Sequence, residues 1–76
     1  MQIDILLENR HLVVEYVDVK WCPRSGDRIL VDRGGQWLVD QVKEYEVLHT
    51  LTKIGVSSNN SVPKFVEQEV IVKEVL

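Results

Sequence analysis

Valine dominates this sequence, and alanine is absent from it. Fourteen of the 76 residues are valine, and they are spread along the whole chain. β-Branched side chains suit extended backbone, whereas alanine is the strongest helix former. No stretch sustains the apolar spacing of an amphipathic helix long enough to compete with alternation. The sequence therefore predicts an all-β fold.

Alternating or continuous apolar segments, separated by turn residues, define five predicted strands. Pro23 to Gly26 are predicted to form a turn, and the Ser- and Asn-rich residues 55–63 a long mobile connection. Apolar residues fall out of alternation between positions 39 and 45, which predicts bulges and a bent fourth strand. The strands are expected at about 2–8, 12–20 and 27–32, from 36 onward, and at about 66–75.

The stretch GDRILVDRGGQWLVDQV is predicted to form a β-hairpin. A two-residue loop at the two glycines would place a charged residue beside Trp37. A three-residue loop ending in Gly35 instead places Val31 opposite Trp37 and Ile29 opposite Val39, which collects apolar residues on one face. We therefore expect a positive φ at Gly35 and a core position for Trp37. A phosphate-binding loop would need a helix after the glycines, and a strand pattern follows them.

Length and charge predict one small domain over residues 1–76, with a net charge of −3 that does not suggest a nucleic-acid binder. A chain this short buries only about 60% of its unfolded surface, so it relies on its apolar content or on self-association, and a homodimer is possible. The single cysteine, Cys22, excludes an internal disulfide. No apolar run is long enough for a membrane span, and no secretory signal pattern is present, so a cytoplasmic location is expected.

Catalytic and metal-binding chemistry has little support in the sequence. Cys22, His11 and His49 lack the paired spacing of metal ligands. Most acidic residues alternate with apolar ones, as on the solvated face of a strand. We therefore predict no catalytic residues, no metal and no cofactor.

The candidate binding residues are aromatic and basic. Trp21 lies in KWCPR just before a turn, where a core role and a role as a partner anchor are equally open, and Tyr16 lies on a strand that is apolar on both sides. Basic residues cluster around the same turn and the following hairpin. The predicted binding set is Trp21, Tyr16, Lys20, Arg24, Arg28 and Arg33.

The pattern P-x-x-G-D-x-I-x-V…G-x-W-x-V-x-x-V, from Pro23 to Val42, resembles the SH3-like small barrels. More narrowly, it resembles short uncharacterised proteins of bacterial and phage genomes, over about half of the chain. The resemblance implies a five-stranded SH3-like barrel or roll of antiparallel strands, and a flatter sheet that dimerises is the alternative. The chain departs from the ribosomal KOW pattern and lacks the loop signature of proline-peptide-binding SH3 domains, so no functional residues carry over.

Two functions are expected from these observations. The first is a non-enzymatic module that binds a protein partner, as an accessory or inhibitory protein of a phage or another mobile element. The alternative is a small barrel that binds nucleic acid through the basic edge at residues 20–33. An enzyme is the least favoured reading.

Overall fold

The computed structural model describes residues 1–33, 42–58 and 63–75, and these form a single five-stranded sheet. The sheet is curled into a half-barrel with the strand order β2-β1-β5-β4-β3, and the described residues contain no helix. The predicted all-β class and the five strands are confirmed. The strands are β1 (Gln2–Leu7), β2 (Leu12–Asp18), β3 (Arg28–Asp32), β4 (Val42–Val56) and β5 (Pro63–Glu74).

The sheet is mostly antiparallel, with one parallel pair. β1 pairs antiparallel with β2, β3 with β4, and β4 with β5, whereas β1 and β5 run parallel. Parallel neighbours need a long crossover between them, and the chain from β2 to β4 supplies it. This pairing differs from the predicted roll of antiparallel strands.

The core lies on the inner, concave face of the curled sheet. Val70 and Val72 of β5 are completely buried, and Cys22 packs against the same cluster although it lies outside the strands. Tyr45 and Val47 share the buried face, and Cys22 is half-buried. The buried members of the cluster are Ile3, Ile5, Val13, Tyr45, Val47, Val70 and Val72.

Two irregularities in β2 explain its unusual apolar pattern. Ile5 pairs with Val14 and Leu6 with Leu12, so Val13 is an extra residue in β2. A second register shift lies between Val14 and Val17, since Val17 pairs with Ile3. Bulges of this kind change which face a residue occupies. Strict alternation would place Val13 and Val14 on opposite faces. Because of the bulges, both of them pack against one core.

A bulge in β4 lies further along the chain than predicted. The register between β4 and β5 shifts between Val47 and His49, and the Ser25 hydroxyl donates a hydrogen bond to the Leu48 carbonyl there (2.8 Å). Residues 42–45 pair regularly with β3, so the predicted bulges are wrong for that part of the interval, and residues 39–41 lie outside the described residues. After the bulge the inner face continues at Thr50, which is opposite the core residue Val70.

The register of β3 differs from the predicted hairpin. Ile29 lies opposite Tyr45 and Val31 opposite Lys43, so the expected pairing with Val39 and Trp37 is wrong. Gly35, Trp37 and Val39 themselves lie outside the described residues, and the predictions of a positive φ at Gly35 and a core position for Trp37 stay predictions.

The predicted connection at 55–63 is too long at both ends. Gly55 and Val56 belong to β4, and β5 begins at Pro63. Residues 59–62 lie outside the described residues, so the predicted mobility of this connection stays a prediction.

Candidate functional site

A hydrogen-bonded turn fixes the segment that carries Trp21. The Asp27 N–H donates to the Arg24 carbonyl (3.0 Å), and Gly26 has a φ of 93°, as the third position of a type II turn requires. The Asp27 carboxylate also accepts a hydrogen bond from the Arg24 N–H (2.8 Å). The Gly26 N–H donates to the Val47 carbonyl, and the Val47 N–H donates to the Asp27 carbonyl, both at 2.8 Å. These two hydrogen bonds hold the turn against β4. The predicted turn at Pro23 to Gly26 is therefore part of a rigid frame.

Trp21 projects from this frame into solvent. Its side chain is 74% exposed, whereas the next residue, Cys22, packs against the core. The two readings left open by the sequence are thereby resolved in favour of a surface position for the indole.

The exposed indole forms part of the wall of a cleft of about 760 Å³, which we call the Trp21 cleft. Thr50 and Gln68, on the inner face of β4 and β5, line this cleft, and Met1 lines it at the N-terminus of the chain. The backbone of Met1 is held in place because its carbonyl accepts a hydrogen bond from the Val19 N–H (2.8 Å) and its amine donates to the Val19 carbonyl (3.0 Å). The cleft is lined by Met1, Trp21, Cys22, Pro23, Arg24, Ser25, Asp27, Thr50 and Gln68.

Two of the four predicted basic residues flank the indole. Arg24 lines the Trp21 cleft, and Lys20 is exposed immediately before Trp21 in the chain. Neither side chain forms an ion pair with any described residue. Arg24 therefore leaves positive charge available in the lining of the Trp21 cleft, and Lys20 adds an exposed charge next to Trp21 in the chain.

The other two basic residues are held by contacts within the protein. Arg28 forms an ion pair with Glu44 (2.7 Å) and a longer one with Glu46 (3.8 Å), and the hydrogen bond to Glu44 is the main reason that the pKa of Arg28 is raised. Arg33 donates a hydrogen bond to the Val13 carbonyl of β2. The predicted basic edge is therefore not a uniform cationic surface.

Tyr16 lies apart from the Trp21 cleft, on the edge strand β2. Its φ of 56° is unusual for a bulky residue, and its N–H donates to the Asp4 carboxylate (2.9 Å) at the second shift in β2. The exposed ring is available for contacts, but the structure does not bring it together with Trp21.

Sequence analysis missed a second surface, which we call the β4–β5 arm and define as residues 51–56 and 63–67. β3 pairs with β4 only as far as Glu46, and β1 pairs with β5 only from Gln68 onward, so the arm extends beyond both neighbouring strands. The composition of residues 55–63 predicts a loop, which hides the arm in the sequence. The only sequence signal for the arm is the alternation of apolar and polar residues in the flanking segments TLTKI and KFVEQE.

The two faces of the arm differ in character. On the inner face Ile54 lies opposite Val66, and their side chains are 56% and 60% exposed. The inner face also continues into the Trp21 cleft, because Thr52 at the base of the arm donates a hydrogen bond to Gln68 (3.2 Å). The outer face carries the charged pair of Lys53 and Glu67 beside the exposed apolar residues Leu51 and Phe65.

An aromatic ring covers a glycine on the outer face of the arm. Gly55 lies opposite Phe65, and a Cβ atom at Gly55 would come within 2.2 Å of the Phe65 ring. The absence of a side chain at Gly55 thus lets the ring lie across β4, a contact that supports glycine in an exposed strand.

An ion pair anchors the turn between β1 and β2 to the outer face of β5. The Arg10 guanidinium donates to both oxygens of Glu69 at 3.0 Å, and the Glu69 side chain is only 9% exposed. A small cleft of about 220 Å³ lies beside this pair, lined by Glu8, Arg10, His49, Leu51 and Ile71.

Neither a metal-binding cluster nor a membrane-spanning helix is found in the described part of the chain. Within residues 1–33, 42–58 and 63–75, no group of three or more His, Cys, Asp or Glu side chains is placed to hold a metal ion. The same residues include no helix with the length and apolarity needed to cross a membrane.

Comparisons with known proteins add no further constraint. No protein-family model, curated protein or solved structure matches the chain. The candidate site is therefore defined by its own geometry, with the Trp21 cleft at its centre and the inner face of the β4–β5 arm continuous with it.

Proposed function

We propose that the protein is a non-enzymatic interaction module that holds an apolar segment of a protein partner in the Trp21 cleft. The observation that carries this proposal is the 74% exposure of Trp21 on the wall of a cleft of about 760 Å³. Tryptophan is strongly enriched among the residues that dominate binding energy at protein interfaces.

The frame around Trp21 supports this role. Cys22 packs against the core, and the turn at residues 24–27 is hydrogen-bonded to β4. The backbone beside the indole is therefore ordered before a partner arrives. Preorganisation of this kind improves affinity, because less conformational entropy is lost on binding.

The charges beside Trp21 favour a partner segment that carries acidic groups next to its apolar side chain. Lys20 and Arg24 have no ion-pair partner among the described residues. Complementary charge at the rim of an interface speeds association and fixes the orientation of the partner.

Scaffold and biological setting belong to the same proposal. The curled sheet of five strands supports an SH3-like small barrel as the scaffold. The role of an accessory or inhibitory protein of a phage or another mobile element rests on the sequence resemblance.

The second candidate function is binding of single-stranded nucleic acid at the same place. The exposed indole would stack on a base while Arg24 in the cleft lining and the neighbouring Lys20 contact phosphates. The net charge of −3 and the pairing of Arg28 with two glutamates favour the protein partner over this alternative.

The test is affinity capture from a lysate of the source cells, with and without nuclease, followed by titration of the purified partner. Trp21→Ala is compared with Leu30→Ala, which removes an apolar side chain of similar exposure (69%) from β3. We expect Trp21→Ala to weaken binding by about thirty-fold or more, as for an interface hot spot, and Leu30→Ala to leave it unchanged. Equal binding by the two variants, or loss of capture on nuclease treatment, would contradict the proposal.

A further inference from the structure

We infer that the apolar segment held in the Trp21 cleft is the β4–β5 arm of a second copy of this chain, and that two copies clasp each other reciprocally. This inference rests on the proposed function, because it identifies the partner of the same cleft. Its evidence comes from the arm and from the shape of the whole chain.

The chain exposes more surface than a compact protein of its mass. Its accessible surface is 5812 Å², whereas a compact monomer of 8.8 kDa exposes about 4,800 Å². Its radius of gyration of 14.4 Å also exceeds the value of about 11 Å for a compact domain of this length. The excess of roughly 1,000 Å² is similar to the surface of about 800 Å² that each partner buries in a standard interface.

The arm is the described element that most needs a partner. Beyond Glu46 and Gln68 it lacks pairing with β3 and β1, so it is a two-stranded ribbon. An isolated two-stranded ribbon is marginally stable in water, and a packed apolar face is one way to stabilise it. Ile54 and Val66 provide an apolar pair on the inner face that the described part of the chain leaves exposed.

The inner face of the arm has the composition of an interface core. The Thr52–Gln68 and Ile54–Val66 pairs carry no formal charge, whereas Lys53 and Glu67 lie on the outer face and Lys64 lies beyond the Ile54–Val66 pair, at the register shift next to Pro63. Charged residues are depleted in the cores of protein interfaces. This asymmetry indicates that the inner face is the one that docks.

The arm and the cleft are placed so that one two-fold axis satisfies both. They lie on the same face of the sheet, because Gln68 lines the cleft and also pairs with Thr52 at the base of the arm. A two-fold axis that crosses the base of the arm near Thr52 places the tip of each arm over the Trp21 cleft of the other copy. Ile54 and Val66 of one copy then face Trp21 of the other, and the contact is made twice, as in an isologous dimer.

The first measurement is the mass in solution by sedimentation equilibrium between about 1 and about 100 µM. We expect twice the chain mass of 8.8 kDa for the wild type and for the control Leu30→Thr. Trp21→Ala and the double variant Ile54→Thr/Val66→Thr should each dimerise at least about ten-fold more weakly. These positions are exposed in a single copy and threonine suits a strand, so we expect the variants to fold, which circular dichroism checks.

A mixing experiment then distinguishes a reciprocal clasp from other dimers. In a dimer of Trp21→Ala with Ile54→Thr/Val66→Thr, the first copy has an unchanged arm and the second copy has an unchanged cleft. One of the two arm–cleft contacts in this mixed dimer is therefore the same as in the wild type. The mixture should therefore associate more tightly than either variant alone, a gain that destabilised folding could not produce.

The outcomes separate this inference from the proposed function. A wild type that is monomeric over the whole range, or a mixture no tighter than its components, overturns the clasp. If Trp21→Ala still loses binding to another captured protein, the proposed function stands without the clasp. If neither self-association nor capture depends on Trp21, both proposals are wrong.

Discussion

Arg10 shows how a single residue can combine a strained backbone with a stabilising contact. Its φ of 69° closes a three-residue turn between β1 and β2, in which the Arg10 N–H donates to the Leu7 carbonyl (2.9 Å). Glycine usually occupies such a position, because a side chain there costs roughly 1–2 kcal/mol. The two hydrogen bonds from the Arg10 Nη2 to the Glu69 carboxylate offset this cost, because that carboxylate has little access to water.

Two substitutions at this position separate strain from pairing. We expect Arg10→Ala to destabilise the protein by about 2 kcal/mol, because it leaves the Glu69 carboxylate without its donor. Arg10→Gly loses the same contact but removes the strain, so it should be about 1 kcal/mol less destabilising than Arg10→Ala. Urea denaturation measures both free energies of unfolding. Equal stability of the two variants would show that the backbone strain is negligible.

Local residue patterns predicted the surroundings of Trp21 but not those of Arg10. A cysteine before a proline and a Pro-Arg-Ser-Gly turn are short-range signals, and Cys22 and Gly26 adopt the expected positions. The partner of Arg10 is 59 residues away in the sequence. Arginine is also disfavoured at a positive φ, so no local signal pointed to this contact.

At the scale of elements, apolar periodicity predicted which faces of the strands are buried but not which residues lie opposite each other. Pairing Ile29 with Val39 or with Tyr45 keeps Ile29 on the inner face, because the two registers differ by an even number of residues. The apolar pattern therefore excludes a register that is shifted by one residue, which would move every side chain to the opposite face. It does not exclude a register that is shifted by six residues. The bulges in β2 escaped prediction because its apolar residues were consistent with burial on both faces.

Arg33 links the two outer strands of the sheet. It follows the last residue of β3 and donates to the carbonyl of Val13 in β2, and these strands are the two edges in the strand order. The contact therefore spans the open side of the half-barrel. A bridge of this type limits how far the two edges can separate.

Removal of this bridge should loosen the half-barrel. Arg33→Met keeps the aliphatic stem but loses the donors, and we expect a loss of about 1–2 kcal/mol in the free energy of unfolding. Amide hydrogen exchange in β2 should also become faster, because the edge strand opens more easily. Arg24→Met is the matched control, since the Arg24 side chain forms no ion pair with the described residues and the variant should unfold like the wild type. Equal effects of the two substitutions would show that the bridge does not contribute.

At the scale of the whole molecule, positive charge is distributed unevenly. Lys20 and Arg24 stand beside Trp21 without ion pairs to described residues, whereas Arg28 is neutralised by Glu44 and Glu46. Four basic residues cluster at positions 20–33 in the sequence, and their role in binding stays a prediction. The sequence could not predict the pairing of Arg28, because that pairing depends on the register of β3 with β4.

The charge distribution predicts weak and conditional binding to nucleic acid. Each phosphate contact releases counterions, so a complex held by two unpaired cations should be weak at about 50 mM salt and lost at about 200 mM. Fluorescence anisotropy with mixed-sequence single-stranded DNA and RNA measures this.

A matched pair of variants makes the last test specific. Glu44→Gln with Glu46→Gln releases Arg28 and changes the net charge from −3 to −1, so it should strengthen binding at the lower salt and increase the salt dependence. Lys20→Glu with Arg24→Glu should abolish the remaining binding. If the wild type instead binds tightly at about 200 mM salt and loses that binding with Lys20→Glu and Arg24→Glu, nucleic acid replaces protein as the favoured partner of the Trp21 cleft.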